Sequence, residues 1–562
     1  MVRITNLRPA SESDPGRGVD RRRLLKGAAG ATAAGMAGLP LISRAAAQST
    51  PAAASGDETF FPSGIEGVPD AYLAPPEPFT SYDGVPGNGG TVRTFTISYN
   101  PPPPPRDENQ YWQELEKRLG VTWEPIITPQ PDYGARSATL IASGDLPDIY
   151  YINPGQGAEQ QNQAMLQGAF QDLTPYLTGD ALQQFPNLAT IPEFMWNNAR
   201  FQGKILGVPR PGSRSGNVPF YRGDWLENLG LAEPANMDEM SALLAAMTND
   251  DPDGNGKPDT WGQGRYQGGW EAFDNQLIHR MFKVPNSWRL NDDGTLTHEA
   301  ETDEYRQALE TLAKLYADGT FHPDASGMTF SDAQNAYIAG ETGFHCEGFG
   351  SFYGVGNVTY RMQELNPDAF TTPYIPKAAD GSGLGVVNNN IGFFGMNAIP
   401  SAIQDEERVL ELLRILDYLA APFGSEEEIF LNNGIEGVHH DVNENGFRIT
   451  NDLFRTEKSD LIYQMIGLNV YFFPDEPETA LKVQDVAKQA AEIGQDNPTW
   501  GIYAESAAQN GPVLDQLATD TTLAIITGRE SLDKLDSAMD EWRSRGGDQM
   551  RQEYEEALQQ QG

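Results

Sequence analysis

Asp251, Asp253, Asn255 and Asp259 occupy positions 1, 3, 5 and 9 of the run DPDGNGKPD. Oxygen side chains at that spacing can converge on a hard divalent cation such as calcium. Gly256 at position 6 allows the sharp bend, and the backbone carbonyl of Lys257 at position 7 adds a ligand. Position 12, where a calcium loop closes on a bidentate Glu, is Gly262. Asp, Asn and Gly also build ordinary polar turns, so the spacing alone leaves a calcium loop and a bare turn both open. A second Asx-rich run, Asp441, Asn443, Asn445 and Gly446, is read as a hairpin, because Asn-Gly between alternating residues is a strong two-residue turn signal.

Catalytic chemistry is poorly supported. The six histidines (His279, His298, His322, His345, His439, His440) form no H-E-x-x-H pair, and neither a G-x-S-x-G elbow nor a phosphate loop is present. His439 and His440 are adjacent, so on a strand they face opposite sides and cannot clamp one ion. Carboxylates are too numerous, 79 Asp and Glu, for any pair of them to mark a glycosidase. The net charge of -40 argues against nucleic acid or an anionic membrane as partner.

The elements that must position any site follow an α/β pattern. VRTFTISYN (92–100) alternates Phe95, Ile97 and Tyr99 as a strand; DENQYWQELEKRLG (107–120) puts Trp112, Leu115 and Leu119 on one helical face. VTWEPIIT, YGARSATLIASG and DIYYIN continue as strand, helix, strand, which predicts a parallel sheet with right-handed crossovers. Farther on, Asn236 caps a helix from Met237 and Thr302 caps another that Gly319 closes. A length of 562 residues calls for more than one lobe.

The N-terminus is read as an address. DRRRLLKG (20–27) resembles a twin-arginine export signal, followed by a weakly apolar stretch and a cleavage site after Ala47. Residues 48–90, rich in Pro, Gly, Ser and Ala, are expected to be a linker or irregular arm. Cys346 is the only cysteine, which excludes an internal disulfide; it is read as a core residue, and no cysteine stands at the cleavage site, so a lipobox anchor is not expected.

An ordered set of segments carries a family resemblance: YWQELEKRLGV, LIASGDLPDIYY, GKILGVPRP, FYRGDWLENLGL, DPDGNGKPDTWG, EYRQALETLAKLYADGTFHPD, AYIAGETGF, NNGIEGVHHDVNENG and MDEWRSRGGDQM. Together they resemble the extracellular solute-binding proteins of carbohydrate ABC importers, in the branch that includes lipoprotein-type and alginate-oligosaccharide-binding members. The resemblance implies a two-lobed α/β fold of the periplasmic-binding-protein type, with hinge strands and an interlobe cleft that closes on a ligand. It implies lobe one at 91–212 plus 393–450 and lobe two at 213–392 plus 451–562. It also implies that the Asp251–Asp259 loop is a structural calcium site in lobe two. The expected partners are a sugar or oligosaccharide, a permease pair with its ATPase, and the twin-arginine translocase during export. The protein is expected to be a monomer in a periplasmic or cell-surface setting.

Sugars are held by aromatic faces and planar polar groups. Candidate ligand contacts on that basis are Trp270 and Tyr353, each beside glycines, then Phe352, Tyr471 and Trp500; on lobe one they are Arg210, Asn100 with Tyr99, and Asp145, with Ser143 and Asn153 at later element ends. An acidic ligand would need cations in the cleft, for which Arg210 and Arg265 are the candidates. Two other readings stay open at this stage: the same fold binding a peptide or other polar solute, and a secreted polysaccharide-active enzyme.

Overall fold

The computed structural model describes residues 59–153, 158–214, 217–265, 268–273, 276–353 and 357–561. The twin-arginine run and its cleavage site lie outside the described residues. Nine strands form the two main sheets: β1 (Thr91–Ser98), β2 (Thr122–Pro129), β3 (Ile149–Ile152), β4 (Gly207–Pro211), β5 (Val218–Arg222), β6 (Trp261–Gln263), β7 (Thr342–Glu347), β8 (Thr371–Pro373) and β9 (Phe393–Ala398).

Lobe one is built on the order β2-β1-β3-β9-β4. β1 runs parallel to β2 and β3, and β9 returns antiparallel between β3 and β4. The helix Gln110–Leu119 forms where the apolar spacing expects it: the Asn109 side chain accepts from the Trp112 N–H, and Gly120 closes it in the left-handed region. It buries Tyr111, Leu115 and Leu119 against Trp123, Leu412, Phe430 and Leu461. Lobe two is built on β6-β7-β5-β8. The caps at Asn236 and Thr302 are made as expected, by Oδ1 and Oγ1 accepting from the N–H of Glu239 and Tyr305. Cys346 is buried on β7, and the strands His440–Val442 and Arg448–Thr450 pair as the hairpin around Asn445-Gly446.

The chain crosses between lobes after β4, again before Phe393, and a third time after Ile466. The first two crossings are knitted together: Gly212 N–H donates to the Gly392 carbonyl and Asn390 N–H to the Arg214 carbonyl. The expected third crossing at residue 450 needs correction. Phe454, Leu461, Ile462 and Ile466 all belong to the lobe-one core, and Trp123 Nε1 donates to the Leu461 carbonyl. Lobe one therefore keeps the chain for one further short helix, Asp452–Lys458, and the turns after it.

The segment expected as a linker is a packed strap over the part described. Its first half belongs to lobe two: Val68 and Ala71 join the cluster of Tyr471, Val483 and Ala487, and Gln484 Nε2 donates to the carbonyls of Phe61 and Pro69. Its second half belongs to lobe one: Ser81 N–H and Oγ both donate to Glu427, and Gly87 N–H donates to the Leu119 carbonyl. Pro76, between the halves, sits against Gly424, where a Cβ would fall 2.2 Å from its ring. Proline fixes φ without needing an N–H partner, which suits a bridge of this kind.

Candidate functional site

Since β4 and β5 are joined by a short crossing, the C-terminal edge of the lobe-one sheet faces the edge of the lobe-two sheet where β5 begins and β7 ends. Open α/β sheets bind ligands outside the carboxyl ends of their strands. On lobe one this edge gathers Ser98 at the end of β1 with Tyr99 and Asn100 after it, Asn153 after β3, Arg210 on β4 and Phe393-Phe394 at the start of β9.

Arg210 is the centre of the group. Its guanidinium carbon lies 4.3 Å from the ring centre of Tyr463 and 5.2 Å from that of Phe394. Its Nε is enclosed and has no hydrogen-bond partner. Among the described residues no carboxylate forms an ion pair with Arg210, in contrast to Arg214, Arg222 and Arg280, which are all paired with Asp or Glu. Tyr99 is 58 % exposed and its ring centre lies 5.7 Å from that of Tyr463. Tyr463 in turn meets the buried Tyr151 edge-on at 5.5 Å. Burial raises the pKa of the Tyr99 hydroxyl, although Asn153 and Arg210 pull it down. Burial likewise raises Tyr463 against the pull of Arg210. Both phenols therefore stay neutral at physiological pH and keep their donor. Phe394 is 54 % exposed while its neighbour Phe393 is 8 % exposed, since successive strand residues face opposite sides. Two exposed aromatic faces beside an unpaired guanidinium make a platform for a polar ring carrying hydroxyl or carboxylate groups.

Beneath the platform lies Asp460. Asn100, named from sequence as a ligand contact, is held by it: Asn100 Nδ2 donates to Asp460 Oδ1 at 3.1 Å. Asn100 thus supports the site edge.

Four other expected contacts are corrected. Trp270 is 7 % exposed and packs in the lobe-two core, edge-on to Tyr305 and His298; flanking glycines bend the chain there without opening it. Phe352 is fully buried, stacked 3.6 Å from Phe220. Tyr471 is buried under the strap, its N–H donating to the Asp70 carbonyl. Asp145 precedes β3 and so stands at the opposite edge of the sheet, exposed and ion-paired with Arg93 at 2.9 Å. Tyr353 is half-buried between Phe220 and Phe473 at the end of the β7 connection. Trp500 is half-buried in a lobe-two loop that touches lobe one: a Cβ at Gly501 would stand 3.1 Å from the Asn197 carbonyl oxygen, and Tyr503 meets Phe201 at 5.0 Å. Arg265 follows β6 on lobe two and donates to the Ser326 carbonyl. Tyr463, Phe394 and Asp460 were not expected from sequence. Only Phe394 had a signal, the adjacent pair of phenylalanines in a strand.

The acidic loop joins the helix Met237–Asn249 to β6 in lobe two. Asp251 accepts from the Gly256 N–H at 3.0 Å, and Asn255 Nδ2 bridges Asp253 and Asp259 at 2.6 and 3.1 Å. Partial burial, with Asp251 and Asp259 nearby, raises the pKa of Asp253. Its donors are all oxygens and its carboxylates repel one another, which suits a hard cation. Among the described residues no three His, Cys, Asp or Glu side chains are gathered closely enough to hold a metal ion.

Residues 110–397 match the family of bacterial extracellular solute-binding proteins. The chain belongs to that family. This solute-binding protein is 25 % identical to lipoprotein LipO of Bacillus subtilis over 462 residues, 80 % of this chain and 88 % of that one. It is 26 % identical to the polygalacturonan/rhamnogalacturonan-binding protein YtcQ of the same organism over 491 residues, 83 % of this chain and 91 % of that one. Among solved structures it resembles an HMO-binding, ABC-transporter-associated solute-binding protein of Bifidobacterium longum infantis with a TM-score of 0.64 at 15 % identity, covering 84 % of this chain and 99 % of that one. The family is one of extracellular proteins that bind a solute. Among the described residues no helix is long and apolar enough to cross a membrane.

Proposed function

We propose that this protein captures an acidic oligosaccharide outside the cytoplasmic membrane and delivers it unaltered to an ABC importer. The observation that carries the reading is Arg210, a half-buried cation with no carboxylate partner, set between Tyr463 and Phe394. In a chain of net charge -40 an unpaired arginine at a strand end is costly unless an anion completes it. The exposed rings of Tyr99 and Phe394 supply stacking faces for pyranose units. The name of YtcQ, a polygalacturonan/rhamnogalacturonan-binding protein, favours the same ligand class, since galacturonate units carry carboxylates. Release to a permease pair driven by an ATPase completes the cycle, with the two lobes opening about their three crossings.

Export of the folded chain through the twin-arginine route accords with the Asp20–Gly27 run and with a fold whose lone cysteine, Cys346, is buried and needs no disulfide. Calcium, on this reading, draws Asp251, Asp253, Asn255, the Lys257 carbonyl and Asp259 closer together than they stand without it, and braces lobe two away from the ligand. The test is titration calorimetry with trigalacturonate, a mannuronate trisaccharide and neutral maltotriose. Binding of an acidic trisaccharide, weakened at least about tenfold by Arg210→Ala, is the expected result; preference for maltotriose would contradict the acidic reading.

A further inference from the structure

Asp460 is 7 % exposed and belongs to the segment that leads from the helix Asp452–Lys458 into the third interlobe crossing. One of its oxygens, Oδ2, accepts from the Tyr99 N–H at 2.8 Å, the Asn100 N–H at 2.9 Å and Ser98 Oγ at 3.0 Å. Oδ1 accepts from Asn100 Nδ2 at 3.1 Å. Three consecutive residues at the end of β1 are therefore fixed by a single carboxylate that arrives from 360 residues away in sequence. These donors have no strand partner, because β1 ends at Ser98. Three residues on, Tyr463 touches Tyr99, Tyr151 and Arg210, and Ile466 N–H donates to the Leu419 carbonyl just before the chain leaves lobe one.

We infer that Asp460 is a positioning residue for ligand recognition: it clamps the Ser98–Asn100 turn so that the Tyr99 ring faces the guanidinium of Arg210 across Tyr463. The clamp and the platform ring Tyr463 lie on the same stretch of chain as the third crossing. A shift of that crossing relative to lobe one thus changes the shape of the binding wall directly. This inference rests on the reading of the Arg210 platform as the ligand site, and it adds a residue that makes no contact with ligand itself.

Asp460→Asn is the discriminating variant, because the amide keeps the size but turns an N–H₂ group toward backbone donors. Amide hydrogen exchange of the ligand-free protein is read first. Exchange at Tyr99 and Asn100 is expected to accelerate about tenfold or more, while Phe95 and Ile97 in the same strand keep their protection. The affinity for trigalacturonate is expected to fall about tenfold. In a Tyr99→Ala background the same substitution is expected to cost less than about threefold, because the residue it positions is gone. A purely structural role would lower the melting temperature and leave the two substitutions independent; that additivity, or unchanged exchange at Tyr99 and Asn100, overturns the inference. If the parent protein does not bind trigalacturonate, the reading of the ligand fails, and the exchange result still decides whether Asp460 holds Tyr99.

Discussion

Arg210 and Tyr463 meet with the guanidinium carbon 4.3 Å from the ring centre, although 253 residues separate them in the sequence. A cation over a tyrosine face is held weakly, by about 0.5–2 kcal/mol, and its terminal N–H donors remain unpaired. An ion-paired arginine, such as Arg222 with Asp224, has already spent its donors. The contact therefore orients Arg210 without satisfying it, which is what a receptor for an anionic group requires.

The exposed rings should carry much of the affinity. Tyr99→Ala and Phe394→Ala are each expected to weaken oligosaccharide binding by about 1 kcal/mol or more, near tenfold, from lost stacking area. Neither ring is in a core, so thermal stability should move little. Calorimetry on the two variants checks this; unchanged affinity in both would remove the platform from the site.

How much of this was legible beforehand depends on distance along the chain. Arg210, Tyr99 and Asn153 could be named because they end strands of a readable α/β pattern, and such ends converge on one edge. Trp270, Phe352 and Tyr471 could not be judged, because flanking glycine or proline describes the local bend and is silent on what covers the ring. Phe352 is covered by Phe220 and Tyr471 by the strap, both distant in sequence. Asp460 and Tyr463 sit in SDLIYQM, a stretch with no turn or motif signal. Their role exists only because lobe one retains the chain past residue 450.

Calcium should stabilise lobe two. A cation present at a hundredfold excess over its dissociation constant adds about 2.7 kcal/mol, so a chelator is expected to lower the melting temperature of the parent protein. Asp253→Asn with Asp259→Asn should melt at the lower temperature with or without chelator. A parent protein indifferent to both calcium and chelator would leave the loop as a hydrogen-bonded turn.

Asp417 predicts a pH dependence. Its Oδ1 accepts from the N–H groups of Asn187 and Leu188, while Oδ2 is buried without a partner. Burial pushes its pKa up to about 6, against the pull of the two N–H donors. The folded state therefore binds a proton more tightly than the unfolded chain does. That contribution is complete below about pH 4 and is lost as pH rises through about 6, roughly 2–3 kcal/mol in all. Asp417→Asn keeps an oxygen for both N–H groups and should flatten the stability profile between about pH 4 and 6. Chemical denaturation across that range reads the slope, and an identical slope in the variant would rule Asp417 out as its source.

The strap should matter to lobe two more than to the sheet of lobe one. Removing residues up to Phe79 uncovers Tyr471 and takes Val68 and Ala71 from their cluster, a loss of about 2–4 kcal/mol of apolar burial. Amide exchange in the helix Thr479–Glu492 is expected to speed up while β1 stays protected. Uniform protection across both elements would show that the strap is not part of the lobe-two core.

The most direct test of the whole account is calorimetric titration of the parent protein and Arg210→Ala with an acidic trisaccharide, followed by analysis of the recovered sugar. Saturable binding by the parent, a loss of at least about tenfold in the variant, and a trisaccharide recovered intact are expected. Equal affinity in the two proteins, or new reducing ends in the recovered sugar, would contradict it.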